Sequence, residues 1–291
     1  ELFSVKEVAA YLNLNEKKIY SLVKKGEIPC TKITGKWLFP KKRIDEWIAM
    51  SVGPDFRADS PGNIRIAGSN DPALELLASS IRKLFPRLTV LAANVGSRRG
   101  LSMLQRGGTH MSGMHIFDPA TSEYNIPYLR KMAPSIRPVV VNFAWRDQGI
   151  LVAPGNPLGI SGIEDLARPE VRYINRQPGA GTRLLLDYNL RRLGIGRDRI
   201  PGYDNYVNTH HEVAAAIQRG RADAGLGIRE AAAGFGLGFI PVTRERFDLV
   251  IPGRFFYTEP IRQCLEVTRS EAFRESVGHL NGYYAGDTGT V

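Results

Sequence analysis

A short β-branched run that turns at two glycines and opens a helix is the feature that most constrains this chain. Residues 175–187 read NRQPGAGTRLLLD. Gly179 and Gly181 let the backbone turn tightly, Thr182 is a residue type that favours a helix N-cap, and Leu184, Leu185 and Leu186 carry the helix onward. The first turn of such a helix offers free N–H groups and the positive end of its dipole, which suits an anion. The stretch carries neither GxxxxGK(S/T) nor GxGxxG, which excludes the P-loop and the dinucleotide fingerprint. A glycine turn before an ordinary helix would look the same, so its meaning depends on what else the chain builds.

The chain builds similar turns elsewhere. Residues 63–67 and 89–93 read as short strands; Gly68-Ser69-Asn70 and Gly96-Ser97 follow them, and helices begin at Asp71-Pro72 and run through Leu101 and Leu104. Strands are expected at residues 110–116, 138–144, 149–152, 172–175, 221–227, 239–242 and 248–251, with helices at 161–166, 211–219 and 270–280. This alternation predicts an α/β domain with largely parallel sheets, and ligands in such folds sit where strands end and helices begin. Ser69, Ser97 and Thr182 each follow a glycine at such a junction. Hydroxyls and main-chain N–H groups arranged this way suit an oxyanion, although each hydroxyl could simply cap its own helix.

The first 50 residues are of another kind. Ser4 with Glu7 forms a capping box, Val5, Val8, Ala9 and Leu12 share a helical face, and Asn15 caps a second helix with Ile19, Leu22 and Val23 inside. Gly26 stops that helix and Pro29 prevents a restart. A hairpin turning at Thr34-Gly35-Lys36 and a helix over residues 43–50 complete a small winged helix-turn-helix. Residues 51–62 are rich in Gly, Pro, Ser and Asp and read as a linker.

At 291 residues the chain has room for two domains, and a net charge of +10 favours an acidic partner such as nucleic acid. Cys30 and Cys264 lie far apart, so no disulfide or metal cluster is implied. No apolar run is long enough to span a bilayer, so no membrane partner is expected and the expected location is cytoplasmic. His110, His115, His210 and His211 offer acid–base material, but without GxSxG, HExxH or a His/Cys cluster no enzyme is expected.

The amino-terminal run resembles the excisionase-type, MerR-related DNA-binding domain. The resemblance rests on Glu7-Val8-Ala9 with Leu12, Ile19-Tyr20, residues 25–29 (KGEIP), Gly35-Lys36-Trp37 and residues 44–48 (IDEWI). It implies a second helix that enters the major groove of double-stranded DNA, presenting Glu16, Lys17, Lys18, Tyr20, Ser21 and Lys24, with Lys32 and Lys36 on the wing and Lys41, Lys42 and Arg43 beyond it. A dimer or higher homo-oligomer is expected, because one small module reads few bases.

The remainder is similar to the type II periplasmic-binding-protein fold, in which the chain crosses twice between two lobes. The crossings are expected near residues 144–149 and 238–243, giving lobe I over about 63–145 and 242–291 and lobe II over about 146–241. More narrowly, GSNDPALELLA, NVGSRRGL, HIFDPATSEYN, APGNP, NRQPGAGTRLLLD and GRADAGLGI resemble a domain related to periplasmic molybdate-binding proteins. The resemblance implies that Ser69, Ser97, Gly181, Thr182 and Tyr203 lie in the cleft, with Asn70 and Arg183 near it, around molybdate or tungstate and with no cofactor. Arg98, Arg99 and Arg183 beside these turns would equally suit a carboxylate or phosphate. His115, Asp118 and Tyr124, at an expected strand end, would serve a charged or larger organic effector. The resulting expectation is a transcriptional regulator that senses a small anion. The alternatives are one that senses an organic acid, or an oxyanion-handling protein that supplies molybdenum cofactor synthesis.

Overall fold

The computed structural model describes residues 2–25, 28–51 and 62–291. The helix stop at Gly26 and nearly all of the expected linker lie outside the described residues. The chain divides into two units, residues 1–61 and 62–291.

The smaller unit runs β1 (Leu2–Phe3), α1 (Val5–Tyr11), α2 (Glu16–Lys25), β2 (Thr31–Ile33), β3 (Lys36–Pro40) and α3 (Lys41–Ser51). The Ser4 backbone N–H donates to Glu7 Oε2 at 2.7 Å and the Glu7 N–H donates to Ser4 Oγ at 3.3 Å, closing the capping box. Asn15 Oδ1 accepts the Lys18 N–H at 2.8 Å and so starts α2. Thr34 and Gly35 take φ of +48° and +84°, the paired left-handed geometry of a two-residue hairpin. Val8, Ala9, Ile19, Ile28, Phe39 and Ile44 form the core. Strand β1, which the sequence pattern does not announce, adds to the hairpin by pairing Phe3 with Phe39.

The larger unit continues with β4 (Asn63–Gly68), α4 (Pro72–Leu84), β5 (Thr89–Asn94), α5 (Ser97–Gln105), β6 (Ser112–Met114), β7 (Phe117–Asp118), β8 (Glu123–Tyr124) and α6 (Ile126–Met132). Then come β9 (Pro138–Val152), β10 (Tyr173–Arg176), α7 (Gly181–Arg192), β11 (Tyr206–Val207), α8 (His210–Gln218), β12 (Ala224–Ile228) and α9 (Arg229–Gly234). It ends with β13 (Gly238–Pro252), α10 (Gly253–Phe256), α11 (Glu259–Arg269), α12 (Glu271–Gly278) and β14 (Tyr283–Tyr284).

Two corrections to the sequence reading concern the sheets. The runs at 138–144 and 149–152 are one 15-residue strand, and those at 239–242 and 248–251 are another. These long strands pair antiparallel along their length, with bulges at Pro241/Thr243 and Phe247/Asp248. They carry the main sheet, ordered β11-β10-β12-β9-β13-β6, through both lobes. The sheet is therefore mixed: β10 runs parallel to β11 and β12, but β12–β9, β9–β13 and β13–β6 are antiparallel. Strands β4 and β5 form a separate parallel pair.

Each lobe has its own apolar core. One gathers Leu101, Leu104, Met114, Ile116, Leu129 and Val250; the other gathers Ile150, Leu166, Val171, Leu186, Leu190 and Leu226. Burying such separate cores leaves the polar ends of strands and helices facing one another between the lobes. Among the described residues no helix is long and apolar enough to cross a membrane.

Candidate functional site

None of the three hydroxyls caps its own helix. The N-cap of α4 is Asp71, whose Oδ1 accepts the Ala73 N–H at 2.7 Å, so Ser69 is free for another partner. The N-caps of α5 and α7 are Gly96 and Ala180, neither with a side-chain cap, and Ser97 and Thr182 lie one or two residues inside. The opening N–H groups of a helix have no intrahelical acceptor, so both helices bring anion-seeking N-termini to this level.

The lobes are in contact here. The Arg98 N–H donates to Gly179 O at 3.3 Å, and the His210 N–H to Asn70 Oδ1 at 3.4 Å. Gly181 lies so near His115 that a Cβ would fall 2.5 Å from the His115 carbonyl oxygen and 2.6 Å from its imidazole Cε1. Any side chain at 181 would hold the first turn of α7 off lobe I.

A buried polar chain runs through this junction. The Ser69 hydroxyl meets His115 Nε2 at 2.7 Å, and His115 Nδ1 meets Glu245 Oε2 at 2.9 Å. Arg146 Nε donates to Glu245 Oε1 at 2.7 Å, while Arg146 Nη1 pairs with Asp71. The Tyr283 hydroxyl donates to Asp71 Oδ2 at 2.8 Å. Phe247 stacks on His115 and lies 4.6 Å below the Arg146 guanidinium. Burial pushes the Glu245 carboxyl up, but His115 and Arg146 outweigh it and leave it below the ordinary carboxylate range. Burial lowers the Arg146 guanidinium, and Glu245 and Asp71 more than restore it. Burial holds His115 below the usual imidazole value, with Glu245 pulling against it and Arg146 and Arg176 adding to it.

Arg176 has a different environment. It is 1% exposed, and only its Nη2 is used, donating to the Asn208 carbonyl at 2.8 Å. Its Nε and Nη1 have no hydrogen-bond partner among the described residues. Burial, followed by the nearby positive charge of Arg146, pushes it down to about 9. Buried and also unpartnered are Thr182 Oγ1, Gln177 Nε2, the Gln148 side-chain amide and both ring nitrogens of His210. His210 is held well below the usual imidazole value by burial and then by Arg176, Arg146 and His115, so these four cluster electrostatically. Buried polar groups without partners are costly, and this set is mixed: Arg176 Nε and Nη1 and Gln177 Nε2 are donors, Thr182 Oγ1 can donate or accept, and Gln148 Oε1 and one nitrogen of a neutral His210 are acceptors.

Of the residues expected in the cleft, the structure brings together Ser69, Asn70, Ser97, Gly181 and Thr182. Ser97 Oγ accepts the His115 N–H at 3.4 Å, and Asn70 O accepts from Arg146 Nη1 at 3.4 Å. The Tyr203 hydroxyl is turned away from them, and Arg183, expected near the cleft, reaches the Arg176 carbonyl with Nη1 at 3.4 Å. The Tyr203 hydroxyl donates to Asp187 Oδ1 at 2.5 Å within the second lobe's core. Arg183 stacks 4.5 Å over the Tyr203 ring and reaches Asp204 at 3.4 Å. Arg98 and Arg99 are exposed, and Asp118 Oδ1 is spent on the Ala120 N–H. Tyr124 is part-buried, and Glu245 is among the charges that act on it.

Sequence reasoning missed Arg146, Gln148, Arg176 and Glu245. Their neighbours in sequence are polar too, so no apolar periodicity marks them. Arg146 and Gln148 face inward, whereas Asp147 between them faces out to Arg229 and Arg244.

In the smaller unit Lys17, Lys18, Tyr20 and Lys24 are exposed on α2 and Ser21 is half-buried; Lys32 and Lys36 are exposed on the hairpin. Residues 17, 20, 21 and 24 share one helical face by their spacing. Lys32 Nζ sits 5.4 Å over the Trp37 ring. Lys41, beyond the wing, pairs with Asp45 at 2.9 Å, and Tyr11 donates to the same carboxylate at 2.8 Å.

Residues 78–269 match the family model of the PBP superfamily domain, and residues 2–51 match that of a helix-turn-helix domain. The chain belongs to the PBP superfamily, with a helix-turn-helix domain in front. Together they make it a DNA-binding regulator with a ligand-binding effector domain.

It is similar to the uncharacterized Bacillus subtilis (strain 168) protein YvgK, 29% identical over 302 residues that cover 99% of this chain and 97% of that protein. Among solved structures it resembles one of a phosphate ABC transporter substrate-binding protein, with bound phosphate, from Clostridium perfringens. The TM-score is 0.56 at 12% identity, covering 75% of this chain and 97% of that one. It also resembles the regulatory domain of MetR, a LysR family regulator from N. meningitidis, with a TM-score of 0.51 at 12% identity over 76% of this chain and 98% of that one. A third is the effector-binding domain of QuiR in complex with shikimate, with a TM-score of 0.52 at 13% identity over 71% of this chain and 95% of that one. These likenesses extend to the fold.

Proposed function

We propose that this protein is a transcriptional regulator whose two-lobed domain senses a small oxyanion, molybdate or tungstate first among candidates. Arg176 carries this reading: a fully buried guanidinium with two unpartnered nitrogens and no carboxylate in contact among the described residues. An anion between Arg176, Thr182 and the N-termini of α5 and α7 would satisfy donors that the protein leaves open. The excisionase-type helix-turn-helix would bind operator DNA through α2 and the hairpin, most simply as a homodimer on a two-fold site.

A small organic acid is the second reading. A guanidinium fork also matches a carboxylate, and the fold neighbours hold phosphate in one case and shikimate in another.

A thermal-shift series on the full chain tests the ligand, using molybdate, tungstate, sulfate, phosphate and small carboxylates. An anion at about one hundred times its dissociation constant should add about 2.7 kcal/mol of stability. A shift with molybdate or tungstate and not with sulfate supports the first reading; a shift with carboxylates alone moves the assignment to the second. Duplex-DNA binding, with and without the stabilising anion, then tests regulation. Coupling requires the anion to favour one of two states that differ in DNA affinity, so an unchanged affinity would remove the sensor role.

A further inference from the structure

The hydrogen-bond directions in the Ser69–His115–Glu245 chain set a condition on what can bind beside Ser69. This inference rests on the anion reading of the cleft. With Glu245 ionised, Oε2 can only accept, so His115 Nδ1 must carry a hydrogen and donate across the 2.9 Å contact. In a neutral imidazole Nε2 is then the acceptor, and the single hydroxyl hydrogen of Ser69 is given to it across 2.7 Å. Ser69 therefore turns lone pairs, not a hydrogen, toward any ligand, and lone pairs repel an anion's oxygens.

Only an additional proton reverses this. If the His115–Glu245 pair gains one, Nε2 acquires a hydrogen and donates to Ser69 Oγ, and the Ser69 hydroxyl hydrogen is released to the ligand. The pair needs that proton whichever of its two members formally holds it. A ligand with a hydroxyl of its own has another route, because it can donate to the Ser69 lone pair directly.

We propose that anion binding at this site is proton-coupled. An anion without a hydrogen enters together with one proton taken up by the His115–Glu245 pair, whereas an anion bearing a hydroxyl binds without proton uptake. The site thus distinguishes fully ionised oxyanions such as molybdate or sulfate from hydrogen phosphate or a hydroxy acid by the pH dependence of their affinity.

The surroundings fit such a device. His115 is closed off from solvent by Phe247 on one face and Gly181 at its edge, so the proton has no competing water partner at the ring. The charged and titratable groups around the pair are few. Arg146 on β9 binds Glu245 Oε1 and is itself held by Asp71 and Tyr283. Arg176 at the end of β10 and His210 at the start of α8 act on His115 through space, and Tyr124 lies near Glu245. The neutral imidazole of the unliganded site agrees with the lowered affinity of His115 for protons, in which burial outweighs Glu245. A bound anion adds negative charge beside the ring and restores what burial removed.

His210 is a rival acceptor of that proton, since both its ring nitrogens are unpartnered among the described residues. Glu245→Gln separates the two. A glutamine keeps its carbonyl toward Arg146 and turns its amide NH2 toward His115 Nδ1, which fixes the tautomer with hydrogen on Nε2. The Ser69 hydroxyl is then free for an anion without proton uptake.

The test is isothermal calorimetry on the full chain with sulfate, molybdate and hydrogen phosphate, in buffers of differing ionisation enthalpy, from about pH 6.5 to about pH 8, below the range in which Arg176 titrates. The expected result is close to one proton taken up per sulfate or molybdate and an affinity that falls about tenfold per pH unit. Hydrogen phosphate at the upper end should bind with almost no uptake. Glu245→Gln should bind sulfate or molybdate with a flat pH profile, and His210→Gln should keep the wild-type uptake. Sulfate or molybdate binding without uptake overturns the proposal and leaves the anion reading standing. Uptake that disappears in His210→Gln places the proton on His210 and also overturns it. If Glu245→Gln does not fold, the His210→Gln result and the wild-type comparison of sulfate with hydrogen phosphate decide the matter. Absence of saturable binding by all three anions at the acid end removes the inorganic-oxyanion reading and the proposal together.

Discussion

Two arginines stand close together in the cleft, equally buried and opposite in circumstance. Arg146, on the long crossing strand β9, is held by Glu245, Asp71 and the Asn70 carbonyl. Arg176, at the end of β10, gives Nη2 to one carbonyl, and its Nε and Nη1 have no partner among the described residues. The first is a structural tie: its acids come from β13 and the N-cap of α4, so it pins both crossing strands to the first lobe's strand-to-helix turn. The second is a charge the fold has isolated without neutralising, and the proposed anion rests on it. Burial alone therefore does not separate structural from receptive groups in this domain; the presence of a counter-charge does.

The comparison can be broken most severely at Arg146. Arg146→Met leaves Glu245 and Asp71 buried without their cation and should cost about 3 to 5 kcal/mol in urea unfolding of the large domain. A loss below about 1 kcal/mol would mean the network contributes little. Arg176→Met should act in the opposite sense, leaving stability unchanged or raising it by about 1 to 2 kcal/mol while abolishing anion-induced stabilisation. A large loss of stability there would class Arg176 with Arg146.

The same contrast has a pH signature. Arg176 holds its proton less tightly folded than unfolded, so its burial penalty is present below about pH 9 and is relieved as pH rises through that value. A bound anion pairs with the charged form, so anion affinity should fall through the same range. An affinity constant across it would remove Arg176 from the site.

Smaller effects sharpen the division further. Thr182→Val keeps the shape and removes an unpartnered hydroxyl, so anion affinity should drop by about 1.5 kcal/mol, roughly tenfold, with the fold retained. Unchanged affinity would exclude Thr182. Lys24→Ala, in the other unit, should weaken duplex-DNA binding and reduce its salt slope by about one, leaving the anion-induced thermal shift intact. An effect confined to anion binding would contradict the assignment of DNA to the small unit.

Much of the local structure was legible in the residues. Ser4 with Glu7, Asn15, Thr34-Gly35 and Asp71-Pro72 mark the helix starts and the hairpin where they are found, because caps and tight turns are decided by neighbours in sequence. The three glycine–hydroxyl turns lie together at one junction of the lobes, Gly96 against Ala180 and Gly181 against His115, which in turn meets Ser69. The crossing strands were misread because Trp145, Arg146, Asp147 and Gln148 look like a polar break, and a strand with alternate residues buried in a polar cleft has no apolar signature.

The sequence by itself determined the helix caps, the hairpin, the two-part organisation and the α/β alternation, all of which rest on contacts within a few residues. Only the tertiary structure decided which groups share the cleft. It turned the Tyr203 hydroxyl to Asp187 and Arg183 to the Tyr203 ring, gave Arg146 two acids, and left Arg176 with none. Glu245 reaches His115 across 130 positions of chain, and the partner that neutralises a buried charge at such a separation is set by how the strands pack.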